Sequence, residues 1–420
     1  MHATYYALHA LVAEWQDLIG ARLIDAFTQQ RGELTLALEP PDGEVQRVQV
    51  GTKPVYLMRS EGYNRARRNT TTLFEKAHGL IVSAIGIADL DRFVLIDLRN
   101  ESGTHIGTLH LVLFGSRANA LWTRDDETIK EAFQHSADLE GEPLPRTRPA
   151  RLPFSAEELA DQWKGDDPAR ALRRAWPLFD DLLASEALHR AAFDLVAPNW
   201  SNLFITCQTV QDEALETQSP GILWRGEIAH ALTLIALEQP TPGLRLESLP
   251  SVDRAMQVFT RRTLGQDRFS ARYDKLHTRL KRASHQATRR VDQMLEALSQ
   301  PSRADEHESA GHLLMAQLHR VTQGSESVEL DDLFAPDGGI RTITLDPALS
   351  PAANAERYYA RARASRLSRE SSEERFERSH EEAERLSATL AELEAVETLE
   401  ALDAFESAHG EWVRTSTSDA

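Results

Sequence analysis

The chain has 420 residues, 41% of them hydrophobic, and its 65 acidic and 47 basic side chains give a formal net charge of −18. That length predicts about two or three domains with real cores, and that charge excludes nucleic-acid binding through the whole surface, so any RNA contact must be local. No apolar run approaches the roughly 18 to 20 residues that span a bilayer. The opening MHATYYALHALVAEW reads without a basic region or a small-residue cleavage site, so a cytoplasmic protein that meets no membrane is expected. Cys207 is the only cysteine, which rules out an intrachain disulfide and a cysteine-built zinc site. In the run LFITCQTV an inert buried thiol is the expectation.

Residues 1–145 read as an α+β domain with antiparallel pairing. Apolar residues at helical spacing run from Tyr6 to Leu18 and stop at Gly20. LTLAL (34–38), VQRVQV (45–50), FVLIDL (93–98) and TLHLVLF (108–114) read as strands between turn signals such as PPDG and ESG. A proline- and arginine-rich linker, 146–154, follows. Residues 155–250 read as a helical module: Ser155 is an N-cap candidate, helical pattern runs to Leu195 with a break at Trp176-Pro177, and two helices meeting at that turn are expected, then a small packed module.

In 251–300, Phe269, Tyr273, Leu276, Leu280, Ala283, Ala287, Val291 and Met294 form a coiled-coil seam with a stutter, flanked by basic residues. Residues 301–352 carry a helical pattern ending at Gly324, two strand-like runs and Pro351 at the start of a new helix. Residues 353–412 return as an acidic arm with Phe376, Ala383, Leu386, Leu390 and Leu393 on one stripe, running to about Leu402, and 413–420 has no reason to be ordered. Opposite charges on the two arms favour an antiparallel hairpin with a small β insert at its tip.

Several groups are candidates for chemistry, each with a plainer alternative. Asp91-Arg92, at the start of FVLIDL, suits phosphate holding with a carboxylate orienting the guanidinium, but residue types alone favour the plainer reading, a strand-end salt bridge. Arg59, Arg65, Arg67 and Arg68 cluster around Tyr63 in a loop-like stretch, a composition that suits single-stranded RNA or a solvated loop. Arg272, Lys275, Arg279, Lys281 and Arg282 on the basic arm could meet an RNA backbone or simply match the acidic return arm. The helical hairpin lacks the glycine that frees backbone amides for a phosphate, so a structural role is favoured. No metalloprotease, nucleophile-elbow or P-loop motif is present, and Asp331, Asp332, Asp337 and Asp346 fit no EF-hand spacing, so neither enzyme activity nor a metal or other cofactor is expected.

The stretch GHLLMAQLHRVTQGSESVELDDLFAPDGGIRTITLDPALSPAANAERYYARARA closely resembles the middle region of the NFACT family, which includes bacterial RqcH (fibronectin-binding protein A-like) and eukaryotic NEMF. The landmarks are Gly311, Leu313, Leu314, Gly324, Leu345-Asp346-Pro347, Ser350-Pro351, Asn354-Ala355 and Tyr358-Tyr359. LIGARLIDAFTQQRGELTLAL, Asp91-Arg92, FGSRANALW and LLASEALHRA extend the likeness over nearly the whole chain. The resemblance implies an N-terminal domain similar in fold to that of formamidopyrimidine-DNA glycosylases, without their activity, because the chain opens Met1-His2-Ala3 rather than with a proline amine. It implies a ribosome-associated quality-control factor in which the Asp91-Arg92 pair serves tailing. Such a factor binds obstructed large ribosomal subunits through rRNA, together with nascent chain–tRNA, and recruits tRNA, alanyl in bacteria, to extend stalled peptides; no DNA partner is implied. The alternative is a non-tailing coiled-coil scaffold derived from the same family. Departures are Val112, where the family often has a glutamate, the missing hairpin glycine, and the family's C-terminal RNA-binding domain, which would begin about where Trp412 to Ala420 stand and is expected to be lacking.

Overall fold

The computed structural model describes residues 3–146, 149–217, 219–300, 302–335 and 338–410, so Asp337 and the segment 411–420 lie outside the described residues. The chain forms two compact units, Met1–Gln266 and Asp267–Ala420. The fold class is α+β, with an antiparallel sheet in the first unit and a long helical hairpin in the second.

In the first unit, helix α1 (Tyr5–Glu14) is capped by the Thr4 hydroxyl, which accepts from the Ala7 N–H. It continues as a 3-10 turn, Trp15–Leu18, and Gly20 ends the segment at φ +92°. Tyr6, Leu8, Leu11 and Trp15 are fully buried, so α1 is the apolar spine on which the sheet packs. Ten strands follow: β1 (Arg22–Gln30), β2 (Glu33–Glu39), β3 (Gln46–Thr52), β4 (Val55–Glu61), β5 (Thr71–Thr72), β6 (Ile81–Ile87), β7 (Phe93–Arg99), β8 (His105–Val112), β9 (Asn119–Thr123) and β10 (Ile129–Ala132). Their spatial order is β10-β9-β8-β7-β6-β1-β2-β3-β4, with β5 on β1, and every pairing is antiparallel. Arg59 lies inside β4, where the sequence reads as a loop; the strand's buried Tyr56, Leu57 and Met58 carry it past the point at which the basic residues begin.

After the short α2 (Ser136–Leu139), the chain builds α3 (Ala156–Gln162), α4 (Pro168–Ala175), α5 (Asp181–Arg190) and α6 (Trp200–Glu216), then a sheet of β11 (Gly221–Arg225), β12 (Ile228–Thr233) and β13 (Arg245–Ser248). The expected helical pair between Ser155 and Leu195 is thus three helices. Asp167 caps α4 with Pro168 at its first position, a second start signal that a reading by apolar period passes over. The break at Trp176-Pro177 is the α4–α5 turn, and Cys207 is buried in α6, where burial pushes its thiol up to about 12. Glu186 on α5 is wholly buried. Its carboxylate accepts from Arg190 Nε at 2.7 Å and from the Glu238 and Gln239 N–H groups at 2.7 and 3.1 Å, while Arg190 also donates to Glu213 and to the Ala236 carbonyl. This ionic node ties α5, α6 and the loop after β12 together.

Helix α7 (Val252–Ser299) begins in the first unit. The Ser251 hydroxyl accepts from Arg254 N–H, and the Glu14 carboxylate accepts from the Val252 and Asp253 N–H groups at 2.7 Å each, so most of the helix's orphan donors are met.

In the second unit α7 packs against α9 (Pro351–Glu394) and α10 (Leu399–Ala408). Leu276, Leu280 and Ala287 meet Ala383, Leu386, Leu393, Leu402 and Phe405, with Phe269, Tyr273, Ala283 and Val291 at the margins. The ion pairs run antiparallel: Arg272 to Asp403 and Glu406, His277 to Glu394, Arg290 to Glu382. The return arm is not one helix as expected. It breaks after Glu394 and restarts with Thr398 capping Ala401 N–H, so its last apolar residues belong to α10.

Helix α8 (Arg303–Ala316) lies along the first half of α9 and leads to the hairpin β14 (Ser327–Asp331) and β15 (Ile340–Thr344). It ends eight residues before Gly324, because the Leu318–Arg320 segment tightens into a 3-10 turn. The landmark residues of this stretch are packing devices. Asn354, 2% exposed, accepts from Asp346 N–H and donates to the Asp346 carbonyl; Arg357 pairs with Asp346; Tyr358 donates to the Thr344 carbonyl. Gly311 is small because a Cβ there would lie 2.9 Å from the Tyr359 ring.

Candidate functional site

Asp91 and Arg92 occupy the connection between β6 and β7, and local backbone bonds hold it. Ala88 N–H donates to the Phe93 carbonyl, Asp91 N–H to Ala88, and Arg92 N–H to the Asp91 carboxylate at 2.8 Å. Leu90 takes φ +49°, a conformation costing a non-glycine residue on the order of 1 to 3 kcal/mol. The Arg92 carbonyl accepts from Leu113 N–H, which fixes the pair against the end of β8. Burial lowers the Arg92 pKa, with Asp91 opposing; the guanidinium is partly desolvated and donates through Nη1 to the Ala3 carbonyl at 3.4 Å.

The pair lines a cavity of about 1280 Å³ within the first unit. One wall is the end of β8 and the turn after it, with Val112, Phe114 and Arg117; another is the α4–α5 turn, with Pro177, Phe179 and Asp180. The third is the β11–β12 hairpin with Arg225 and His230, closed by Gln239 to Pro242, the loop that Glu186 holds. Arg117 sits over the Phe114 ring at 4.9 Å, and Arg173 pairs with Asp181 at 2.8 Å. Asp180 accepts from Leu183 N–H, and burial raises its pKa. Cationic groups over apolar and aromatic walls suit a ligand with an anionic part and a flat or apolar part.

The structure does not gather the other candidate residues here. Arg59 donates to both Asp17 oxygens at 2.7 and 2.8 Å and to Asp253 at 3.3 Å. Arg65 clasps Asp25, donates to Thr70 and Thr72, and stacks on Phe27, while the Tyr63 hydroxyl also donates to Asp25. Both arginines brace the sheet, and only Arg67 and Arg68 of that cluster are exposed as free-standing side chains would be. On α7, Arg272 is held by Asp403 and Glu406, Arg279 is half-buried, and Lys275, Lys281 and Arg282 face solvent. Among the described residues no three His, Cys, Asp or Glu side chains are placed to hold a metal; Asp331 pairs with Arg320 and Asp346 with Arg357. Sequence reasoning passed over Arg117, Arg173 and Arg225 because they come from elements far apart in the chain; Arg117, inside FGSRANALW, was the one with a local signal.

The sequence profile of the NFACT N-terminal and middle domains matches residues 4–408. No curated protein matches the chain. Among solved structures it is similar to the fibrinogen-binding protein from Staphylococcus aureus, at 16% identity over 62% of this chain and 99% of that one, with a TM-score of 0.49. It is also similar to the N-terminal part of the fibronectin/fibrinogen-binding protein from Streptococcus suis (16% identity, 61% and 98% covered, TM-score 0.45). A third likeness is to the N-terminal domain of fibronectin-binding protein PavA from Streptococcus pneumoniae (17% identity, 61% and 97% covered, TM-score 0.33).

Proposed function

We propose, from the premise that the chain belongs to the NFACT family on the match of its N-terminal and middle domains across residues 4–408, that it is a ribosome-associated quality-control factor. It binds obstructed large ribosomal subunits that still carry nascent chain–tRNA, and recruits tRNA, alanyl by family analogy, to extend the stalled peptide at its C-terminus. The observation that carries the reading is the position of Asp91-Arg92, the pair the family uses in tailing, in the lining of a cavity that also holds Arg117 and Arg225 against apolar and aromatic surfaces. Phosphate affinity beside a stacking surface is what an RNA segment with an unstacked base requires. The chain's roles are binding and positioning; the peptidyl-transfer chemistry belongs to the ribosome.

Affinity purification from cells with stalled translation tests this. The protein is expected to carry large subunits and tRNA, and Asp91→Ala with Arg92→Ala is expected to reduce tRNA recovery while subunits still co-purify. Sedimentation free of large subunits at low salt would overturn the reading. Equal loss of tRNA and subunits in the variant would instead make the pair a support of the domain. A second reading, a non-tailing coiled-coil scaffold, is favoured by the internal engagement of Arg59, Arg65 and Arg272. Alanine tails on stalled reporter peptides, dependent on this protein, would eliminate it.

A further inference from the structure

The seam of α9 changes character halfway along. Carried back from Leu390 in steps of four and three, it runs through Leu386, Ala383, Ser379 and Phe376, then Ser372, Arg369 and Ser365, before reaching Ala362 and Tyr358. The middle positions are polar where apolar knobs would close a coiled coil. There the helices part, at the junction where α7 ends, α8 begins and α9 passes both, leaving an open groove of about 900 Å³.

The groove's lining differs from the rest of the chain. It includes Arg303, Arg361, Arg369 and Arg375, with Ser302, Ser365, Ser368 and Ser372 between them, and no aspartate or glutamate. In a protein with 18 surplus negative charges, that is a local reversal of sign. Arg369 is locked, donating to the Leu298 and Gln300 carbonyls at the end of α7 and to Glu373. Arg375 donates to the Ser371 carbonyl and the Ser372 hydroxyl, and Arg361 lies over the Tyr358 ring at 5.5 Å. Among the described residues, Arg303, Arg361 and Arg375 have no carboxylate within 4.0 Å. Nearby Arg366, on another face of α9, is neutralised by Asp305 and Glu308. Asp305 and Glu308 of α8 are thus engaged with Arg366, and neither lines the groove.

We propose that this groove is a binding site for the phosphodiester backbone of RNA, with Arg303 and Arg361 contacting successive phosphates, Arg369 fixing the groove floor and the Ser302, Ser365 and Ser368 hydroxyls donating to phosphate oxygens. The lining favours a backbone over a single ion: guanidinium groups from two helices, Arg303 on α8 and Arg361 and Arg375 on α9, line an open groove, and hydroxyls between them can donate to further oxygens. The proposed contacts are to phosphate oxygens, so binding through them is independent of sequence. It gives RNA affinity to the coiled-coil unit at a place other than the basic face of α7.

The inference rests on the reading of the protein as an RNA-binding factor and is tested apart from it. Binding of the full chain to a fluorescein-labelled RNA hairpin is followed by anisotropy over a series of salt concentrations, for the parent, for Arg303→Gln with Arg361→Gln, and for Arg363→Gln, an exposed neighbour outside the groove. The double variant is expected to bind about tenfold more weakly and to lower the slope of log affinity against log salt by about 1.5 to 2, as loss of two phosphate contacts requires. Arg363→Gln is expected to change the slope by less than half as much. Arg303→Lys with Arg361→Lys keeps the charge and is expected to keep the slope, which separates charge from folding. Unchanged affinity and slope in the double glutamine variant, or an equal loss in Arg363→Gln, would overturn the proposal. So would inorganic phosphate raising the melting temperature of the parent but not of the double variant while RNA affinity stays the same, since the groove would then hold free phosphate. A chain that sediments with large subunits but whose groove variants bind RNA normally loses this inference alone. A chain that sediments free of subunits, yet shows the groove effect, loses the proposed function alone.

Discussion

Replacing Glu186 should loosen the cavity wall before it harms anything else in the first unit. The side chain is 0% exposed, and its carboxylate holds three donors: Arg190 Nε, and the backbone N–H groups of Glu238 and Gln239. Removing one partner of a buried, hydrogen-bonded ion pair costs about 3 to 5 kcal/mol. Here Arg190 keeps Glu213 and the Ala236 carbonyl, each at 2.7 Å, so the lower end applies and Glu186→Ala is expected to cost about 3 kcal/mol. Glu186→Gln keeps the volume and one acceptor oxygen and should cost about half as much. Glu213 is 40% exposed, so Glu213→Ala should cost about 1 kcal/mol or less. Hydrogen exchange on the full chain reads the effect locally: the Glu238 and Gln239 amides should lose about a hundredfold in protection in Glu186→Ala, at about 1.4 kcal/mol per decade. Because Gln239 and Pro240 line the cavity, tRNA recovery should fall as well. Unchanged exchange at those two amides, or a cost under about 1 kcal/mol, would refute the assignment of the loop's order to this carboxylate.

Other outcomes are equally definite. His110 is buried, 2.8 Å from the Thr123 hydroxyl, and burial pushes its pKa from 6.5 down to about 4, with Asp97 opposing. Its folded pKa lies below the unfolded one, so stability is full above pH 6.5 and is lost as pH falls towards about 4; the span is at most roughly 3 kcal/mol, and denaturant titration of His110→Gln should lack that slope. Asn354→Ala removes the clamp on Asp346 and should cost about 2 kcal/mol or more, visible as accelerated exchange in β15, with protection in α10 unchanged. Arg272→Ala should cost about 1 kcal/mol or less, because Asp403 is 60% exposed, and should fray α10 while RNA affinity stays at parent level; a loss of RNA affinity would return Arg272 to the contact surface. Gly107→Ala should destabilise the sheet by about 2 kcal/mol or more in thermal melts, since a Cβ there would lie 2.1 Å from the Thr123 carbonyl.

Local chemistry carried much of the architecture. The seam on α7, the Ser350-Pro351 start of α9 and the strands around Leu36, Val48 and Leu95 are written in spacing and capping, which act within a turn or two of the chain. The misreadings share one cause. The third helix before Arg190, the inclusion of Arg59 in β4 and the break before α10 each depend on what packs against the segment, and a window of sequence does not contain its neighbour.

Charge divides in the same way. The sequence by itself determined that two arms of opposite sign would pair antiparallel, that the chain belongs with the NFACT proteins by its landmarks, and that Asp91-Arg92 stands at a strand entrance. Tertiary structure alone decided which arginines remain available. Arg59, Arg65 and Arg272 look identical to Arg117, Arg303 and Arg361 in the sequence, yet the first three meet carboxylates brought from 17 to 406 along the chain, and no carboxylate lies within ion-pair distance of the second three among the described residues. An ion pair is a matter of a few ångströms between atoms that can be hundreds of residues apart, and only the fold sets that distance.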